Sequence, residues 1–220
     1  EEVRNQITSR TKLMIINSPN NPCGSIIGEK ELEALSILAK ENDILVLSDE
    51  IYIRFLYEGA HQSITKFPGM VDRTVILDGF SKTYAMTGWR IGYGLLPDSL
   101  VEPISRLVTN SVSCTASFTQ KAALEALTGP QDDSTRMVKE FRKRRDIVVA
   151  GLNNISGIKC AIPKGAFYTF PNVEGTGLSS SDFANGLLEH AGVAVLSGES
   201  FGKFGTGYVR ISFANSTKNL

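Results

Sequence analysis

The alternation of short apolar segments with an amphipathic helical segment is the feature that most constrains the fold of this chain. Residues 13–16 and 44–47 are apolar runs typical of buried strands, and residues 29–41 between them place Leu32, Leu35 and Leu38 at helical spacing. Two strands joined through a helix in so short a stretch require a crossover connection, which pairs them in parallel. The sequence therefore predicts an α/β fold.

The pattern continues to about residue 128 and then changes. The elements predicted along the rest of the chain are strands at 74–77 and 91–96, helices at 98–109, 118–127 and 135–152, strands at 158–161 and 166–170 around a turn at 163–165, a helix at 182–190, and strands at 193–196 and 208–213. The loop at 128–134 is the best boundary. We predict a mostly parallel sheet with flanking helices in residues 1–128 and an α+β domain in residues 135–220.

Composition excludes several classes of function. Lys plus Arg and Asp plus Glu both number 23, so the net charge is zero and no basic field favours a nucleic-acid partner. No apolar run approaches the roughly 18 residues of a membrane helix, and the polar, acidic start is not typical of a signal peptide. The 3 cysteines and 2 histidines show no metal-ligand spacing. We expect reduced thiols, a cytoplasmic location and no metal.

Polar side chains follow three of the predicted strands where each strand ends. Asn21 lies after the first strand, Asp49 after the second and Lys82 after the third. Ligands of open parallel sheets bind at the carboxyl ends of the strands, so an amide, a carboxylate and an amine are expected at one edge. Such a set suits an aldehyde cofactor, which the Lys82 amine binds as a Schiff base while the Arg90 guanidinium binds its phosphate. The alternative for Lys82 is a solvated surface lysine.

Five motifs in order resemble one family of enzymes. They are residues 17–24 (NSPNNPCG), 48–52 (SDEIY), 79–93 (GFSKTYAMTGWRIGY), 163–168 (PKGAFY) and 208–214 (YVRISFA), and together they span nearly the whole chain. This set is similar to the class I/II aminotransferases of the fold type I pyridoxal-phosphate enzymes, and specifically to bacterial aspartate aminotransferases. The resemblance implies part of the family's large domain, followed by its α+β small domain, and pyridoxal 5′-phosphate as the cofactor.

The resemblance also implies a role for each candidate cofactor-binding residue. Lys82 would bind the cofactor and later move the α-proton of the substrate. Asp49 would pair with the protonated ring nitrogen, an interaction worth roughly 4 kcal/mol at about 4 Å. Tyr52 and Asn21 would donate to the phenolic oxygen of the ring. Ser81 and Arg90 would bind the phosphate.

Arg210 would bind the α-carboxylate of the substrate, and Asn21 would also bind the substrate. Simpler interpretations of four of these residues stay open. Asp49 suits a helix N-cap, Asn21 suits a turn before proline, Tyr52 suits a half-buried aromatic, and Arg210 suits an internal salt bridge.

The resemblance implies transamination between an amino acid, aspartate first, and a 2-oxo acid such as 2-oxoglutarate. It also implies a homodimer whose active sites lie at the interface. Two alternatives remain. One is a lyase or synthase of the same fold, such as an aminocyclopropane-carboxylate synthase or a β-lyase, and the other is a non-catalytic domain that keeps the fold.

The chain departs from the family pattern in its extent. The family's upstream half is absent, and the chain stops at residues 215–220, where related chains continue, so we interpret it as a C-terminal fragment with an incomplete end. We expect the isolated fragment to be inactive. We also expect it to self-associate, because a sheet that lacks strands exposes apolar surface.

Overall fold

The computed structural model describes residues 1–220. The helices are α1 (Glu2–Gln6), α2 (Glu29–Glu41), α3 (Asp98–Val112), α4 (Ser117–Thr128), α5 (Asp132–Asn153) and α6 (Ser180–Ala191). The strands are β1 (Leu13–Asn17), β2 (Leu45–Asp49), β3 (Thr74–Gly79), β4 (Gly92–Leu95), β5 (Tyr168–Thr169), β6 (Leu196–Ser197) and β7 (Val209–Ser212). None of these helices combines the length and the apolar character that spanning a membrane requires.

The chain divides into two compact units. The first unit comprises residues 1–18, 27–54 and 60–134, and the second comprises residues 19–26, 55–59 and 135–220. Compactness alone assigns no role to either unit. The assignment of residues 1–128 to a cofactor-binding domain and of residues 135–220 to a small domain therefore stays a prediction.

The first unit is built on a four-stranded sheet in the order β1-β2-β3-β4. The strands β1, β2 and β3 are parallel, and β4 is antiparallel to β3, so the predicted mostly parallel α/β sheet is confirmed. Helix α2 is the crossover between β1 and β2, and it buries Leu32 and Ala39 against Ile16 and Val46. Full burial of a leucine side chain stabilises the fold by about 2 kcal/mol, which explains why the leucine stripe faces the sheet.

The strand register brings the carboxyl ends of β1, β2 and β3 level with one another. Asn17 pairs with Asp49, and Asp49 pairs with Leu77. Side chains alternate between the two faces of a strand, so Ser48 points into the buried side and Asp49 to the other side. The sheet therefore presents Asp49 at its edge.

The second unit contains a three-stranded antiparallel sheet in the order β5-β7-β6. Ile158, Val173 and Val209 form its apolar cluster. A further group of aromatic rings packs between the 55–59 segment and α5, where the Phe55 ring lies 5.3 Å from that of Phe141.

Several sequence predictions for this part of the chain are wrong in detail. The strand expected at residues 193–196 is confined to Leu196–Ser197. Residues 158–161 form no strand and contribute only an isolated bridge from Lys159 to Asn172. The cause is Asn153, whose side chain accepts from the Cys160 N–H (2.8 Å) and donates to the Cys160 carbonyl (3.0 Å), replacing a strand partner. Helix α5 begins at Asp132 rather than at residue 135, with two acidic residues in its first turn, where the helix dipole favours them.

Candidate functional site

Asp49 ends β2 and is held at the sheet edge by its main chain and its carboxylate. Its carbonyl accepts from the Asn17 side-chain amide at 3.2 Å and from the Ser18 N–H at 3.4 Å. Its carboxylate oxygen Oδ1 accepts from the Ile51 N–H at 3.2 Å. A turn follows rather than a helix, so Asp49 does not serve as a helix N-cap.

Tyr52 lies in that turn and is only 4% exposed. It is therefore a buried aromatic rather than a half-buried one. The turn is closed by a hydrogen bond from the Ile53 N–H to the Glu50 carbonyl at 3.0 Å. The turn thus places a phenol and a carboxylate on the same short segment.

Lys82 lies in the turn that follows β3, and it is half-buried rather than fully exposed. Its carbonyl accepts from the Ala85 N–H at 3.2 Å. The carbonyl of Ser81 accepts from the Thr87 hydroxyl at 2.9 Å. The main chain around the amine is therefore fixed by local hydrogen bonds.

The same loop contains two non-glycine residues with left-handed backbone. These are Ala85 (φ 53°) and Arg90 (φ 54°). Each such residue costs about 1–3 kcal/mol and persists only where the surrounding structure imposes it, which happens most often at functional sites. This backbone strain makes the 81–90 loop a candidate functional segment.

Arg90 lines a cavity of about 830 Å³ in the first unit, together with Trp89, Val112, Cys114 and Phe118. The Arg90 guanidinium donates to the Thr87 carbonyl at 2.8 Å and is otherwise exposed. A planar guanidinium beside open space is suited to binding an anionic group such as phosphate.

Arg210 lies on β7 in the second unit, among neutral partners. Its guanidinium donates to the Asn21 side-chain oxygen at 2.9 Å. The guanidinium carbon lies 4.5 Å from the Tyr168 ring centre and 5.2 Å from that of Phe201. Its acceptor is an amide rather than a carboxylate, so the structure does not support the internal salt bridge. The planar fork is oriented by two rings and one amide, an arrangement suited to a bidentate carboxylate.

The turn that carries Asn21 is anchored through Gly24. Gly24 has a φ of +64°, and its carbonyl accepts from the N–H groups of Lys164 (2.9 Å) and Gly165 (3.0 Å). A Cβ atom at this position would lie 2.4 Å from the Cβ atom of Pro163. Glycine is therefore required for this close approach.

Sequence reasoning missed several residues around these positions. Tyr168 belongs to the 163–168 motif but received no role, and Phe201 lies in a segment without a motif. Asn17 belongs to the 17–24 motif, and its contact with Asp49 follows from the parallel register. Glu50 belongs to the 48–52 motif but received no role, and His61, with which it forms a hydrogen bond, lies in a segment without a motif.

Comparison with known proteins identifies the class. All 220 residues match the family model of class I and II aminotransferases, and the chain belongs to this family. It is 42% identical over 223 residues to an aspartate aminotransferase of Pyrococcus abyssi, covering 100% of this chain and 57% of that protein. It is 41% identical over 223 residues to aromatic-amino-acid aminotransferase 2 of Thermococcus litoralis, covering 100% of this chain and 57% of that protein.

Solved structures show the same similarity. An aromatic aminotransferase of Pyrococcus horikoshii superposes with a TM-score of 0.95 at 41% identity, over 99% of this chain and 59% of that one. The structural neighbours are fold type I aminotransferases, so the predicted fold class is confirmed. The chain spans little more than half the length of the relatives that it matches.

This family generally depends on pyridoxal 5′-phosphate. The side chains of the first unit fit that group chemically, since the unit provides an amine at Lys82, a carboxylate at Asp49, a phenol at Tyr52, a hydroxyl at Ser81 and a guanidinium at Arg90. When bound, the cofactor supplies an electron sink for the negative charge that develops on the substrate's α-carbon. The roles of the individual residues stay predictions.

Proposed function

We propose that the complete protein containing this chain is a pyridoxal-phosphate-dependent aminotransferase. It moves an amino group between an amino acid and a 2-oxo acid, with aspartate and 2-oxoglutarate as the first pair to test. The observation that carries the proposal is that Asp49 ends β2 and Lys82 follows the neighbouring parallel strand β3, at the same edge of one sheet. Relatives named as aspartate and aromatic aminotransferases support the same activity.

In this proposal the first unit binds the cofactor and handles the proton. The Lys82 amine would hold the cofactor at its aldehyde group and would accept the proton that leaves the substrate's α-carbon. The Asp49 carboxylate pairs with the ring nitrogen and keeps it protonated. Tyr52 donates to the ring oxygen, and Ser81 and Arg90 bind the phosphate.

The second unit contributes the group that recognises the substrate. Arg210 would bind the α-carboxylate through its planar fork, which packs against the rings of Tyr168 and Phe201. Asn21 orients the same guanidinium by accepting its hydrogen bond. Its side-chain amide would also donate to the ring oxygen of the cofactor. An amino acid without an α-carboxylate is therefore expected to be a poor substrate.

We further propose that the complete protein is a homodimer and that the 220-residue chain alone does not catalyse transamination. The exposed apolar side chains support the first point: Phe118 on α4 is 68% exposed. The second point is supported by the length of the relatives, of which this chain covers about 55–57%. The cytoplasmic location suggested by the cysteine content stays a prediction.

The experiment that tests the activity is a product assay of the complete protein with pyridoxal phosphate. Aspartate, phenylalanine and alanine are each incubated with and without 2-oxoglutarate, with the Lys82→Ala variant as the matched control. A 2-oxo acid formed only when the acceptor is present, and only with Lys82, is the expected result. Product without an acceptor would favour a lyase or synthase, and no cofactor-dependent product would favour a non-catalytic domain.

A further inference from the structure

A buried carboxylate lies directly after Asp49 in the first unit and has no part in the proposed chemistry. Glu50 is 5% exposed. Its Oε2 atom lies 2.8 Å from His61 Nε2, and its Oε1 atom accepts from the hydroxyls of Ser63 (2.8 Å) and Ser48 (3.1 Å). Both carboxylate oxygens are therefore engaged by protein groups.

The main chain of Glu50 is restrained as well. Its N–H donates to the Leu77 carbonyl of β3 at 2.8 Å, and its carbonyl accepts from the Ile53 N–H at 3.0 Å. Glu50 is thus the residue at which β2 passes into the turn that contains Tyr52. Hydrogen bonds of both the side chain and the main chain of Glu50 therefore restrain the start of that turn.

The partners of Glu50 lie on a well-anchored segment. Ser63 also caps the short 3₁₀ helix at residues 64–66, where its hydroxyl accepts from the Thr65 N–H. The next residue, Ile64, is fully buried in the same apolar cluster as Val46 of β2. The hydrogen bonds to Glu50 therefore link the turn after β2 to the core of the unit.

The electrostatics agree with an ionised, paired carboxylate. Burial raises the pKa of Glu50, but the hydrogen bond and charge of His61 and the hydroxyls of Ser63 and Ser48 together bring that pKa below its usual value. An apolar side chain would fill the same space without fixing a direction. Buried hydrogen-bond networks, in contrast, specify one geometry when every member has a partner.

We propose that Glu50, held by His61 and Ser63, is a positioning residue that sets the direction of the Asp49 carboxylate and the Tyr52 hydroxyl toward the cofactor. Glu50 is kept from the cofactor by its burial, because both of its carboxylate oxygens are engaged by His61, Ser63 and Ser48. It acts through the main chain that it shares with Asp49. This inference rests on the proposed function.

The test measures binding of pyridoxal phosphate by the complete protein rather than its activity. Glu50→Leu keeps the side-chain volume and removes every side-chain hydrogen bond of this residue, whereas Glu50→Gln keeps the shape and two acceptor contacts. Glu33→Leu, at an exposed position of α2, is the matched control. The cofactor Kd is obtained by absorbance titration, and the pH midpoint of the bound cofactor's absorption change is measured in parallel with the Tm.

Glu50→Leu is expected to weaken cofactor binding about tenfold or more and to shift the pH midpoint, as the loss of charge-assisted hydrogen bonds predicts. Glu50→Gln is expected to stay within about threefold of wild type. Ser63→Ala, a milder change, is expected to weaken binding by about threefold and serves if Glu50→Leu does not fold.

A lower Tm with unchanged Kd and pH midpoint in Glu50→Leu, or in Ser63→Ala if that variant alone folds, would overturn the positioning role. Failure of the wild-type protein to bind the cofactor at Lys82 would overturn the proposed function instead. The two failures are therefore distinguishable.

Discussion

The hydroxyl of Tyr57 offers a clean test of the packing that supports the substrate-recognition side chains. Tyr57 is 1% exposed, and its hydroxyl donates to the Ala166 carbonyl at 2.6 Å. Ala166 is fully buried and has left-handed backbone with a φ of 57°. It precedes Tyr168, whose ring lies against Arg210, by two positions. Tyr57→Phe removes one oxygen atom and opens only a very small space.

The expected loss of stability in Tyr57→Phe follows from the Ala166 carbonyl, which loses its hydrogen-bond donor. An unsatisfied buried carbonyl costs about 1–3 kcal/mol. The left-handed conformation of Ala166 itself costs about 1–2 kcal/mol and is then held only by the hydrogen bond from the Ala166 N–H to the Phe55 carbonyl. The Arg145 guanidinium, 4.9 Å from the Tyr57 ring, can stack on phenylalanine equally well. We therefore expect Tyr57→Phe to lower the free energy of unfolding by about 1–3 kcal/mol.

The assay is urea unfolding of the 220-residue chain, with hydrogen exchange of the peptide containing residues 163–170. The matched control is Tyr208→Phe, because the Tyr208 ring stacks on Phe170 at 5.1 Å in the same unit and its hydroxyl makes no hydrogen bond. The control is expected to change stability by less than about 0.5 kcal/mol. Equal losses in both variants, or no faster exchange near Ala166 in Tyr57→Phe, would refute the reasoning.

Three further predictions concern charge, backbone conformation and surface. Burial raises the pKa of Asp78, against the lowering effect of the hydrogen bonds from Tyr93 and the Gly79 N–H. Ionised Asp78 therefore reduces stability at pH values above its folded pKa. Asp78→Asn should raise the free energy of unfolding at pH 7, and urea titrations should show that gain disappearing below pH of about 3.9; a gain that persists there would contradict this cause. Gly24→Ala should lower the free energy of unfolding by about 2–4 kcal/mol, because the alanine would be left-handed and its Cβ atom would clash with Pro163. An unchanged urea midpoint would show that glycine is not required at this position. The chain should self-associate through Leu107 and Phe118, so its mass in light scattering should rise with concentration and fall toward the monomer in Leu107→Lys; a monomer at all concentrations would exclude this.

The first half of the fold could be predicted because its signals are local. Leucines at helical spacing in α2 and apolar runs in β1 and β2 each specify one element, and the short crossover fixes their parallel pairing. The strand expected at residues 158–161 is not formed, because its main chain is bound by a residue outside the segment. The Asn153 side chain occupies the main-chain groups of Cys160, and no pattern within the segment reveals a partner seven residues upstream.

In the candidate site, too, some residues could be placed from the sequence and others could not. Asp49 and Lys82 could be placed together from topology alone, because carboxyl ends of neighbouring parallel strands meet at one edge. The Asn21–Arg210 hydrogen bond joins residues 189 positions apart, and the ring of Phe201 beside Arg210 depends on the fold of the second unit. The resemblance to a family supplied the role of Arg210, whereas its aromatic neighbours became visible only in three dimensions.

The account's central claim is that Lys82 binds pyridoxal phosphate. The most direct measurement is borohydride reduction of the complete protein after incubation with pyridoxal phosphate, followed by peptide mapping, with Lys82→Arg as the control. We predict a single modified peptide that carries the label on Lys82 and is absent from the control. Labelling spread over surface lysines, or unchanged labelling in Lys82→Arg, would contradict the claim.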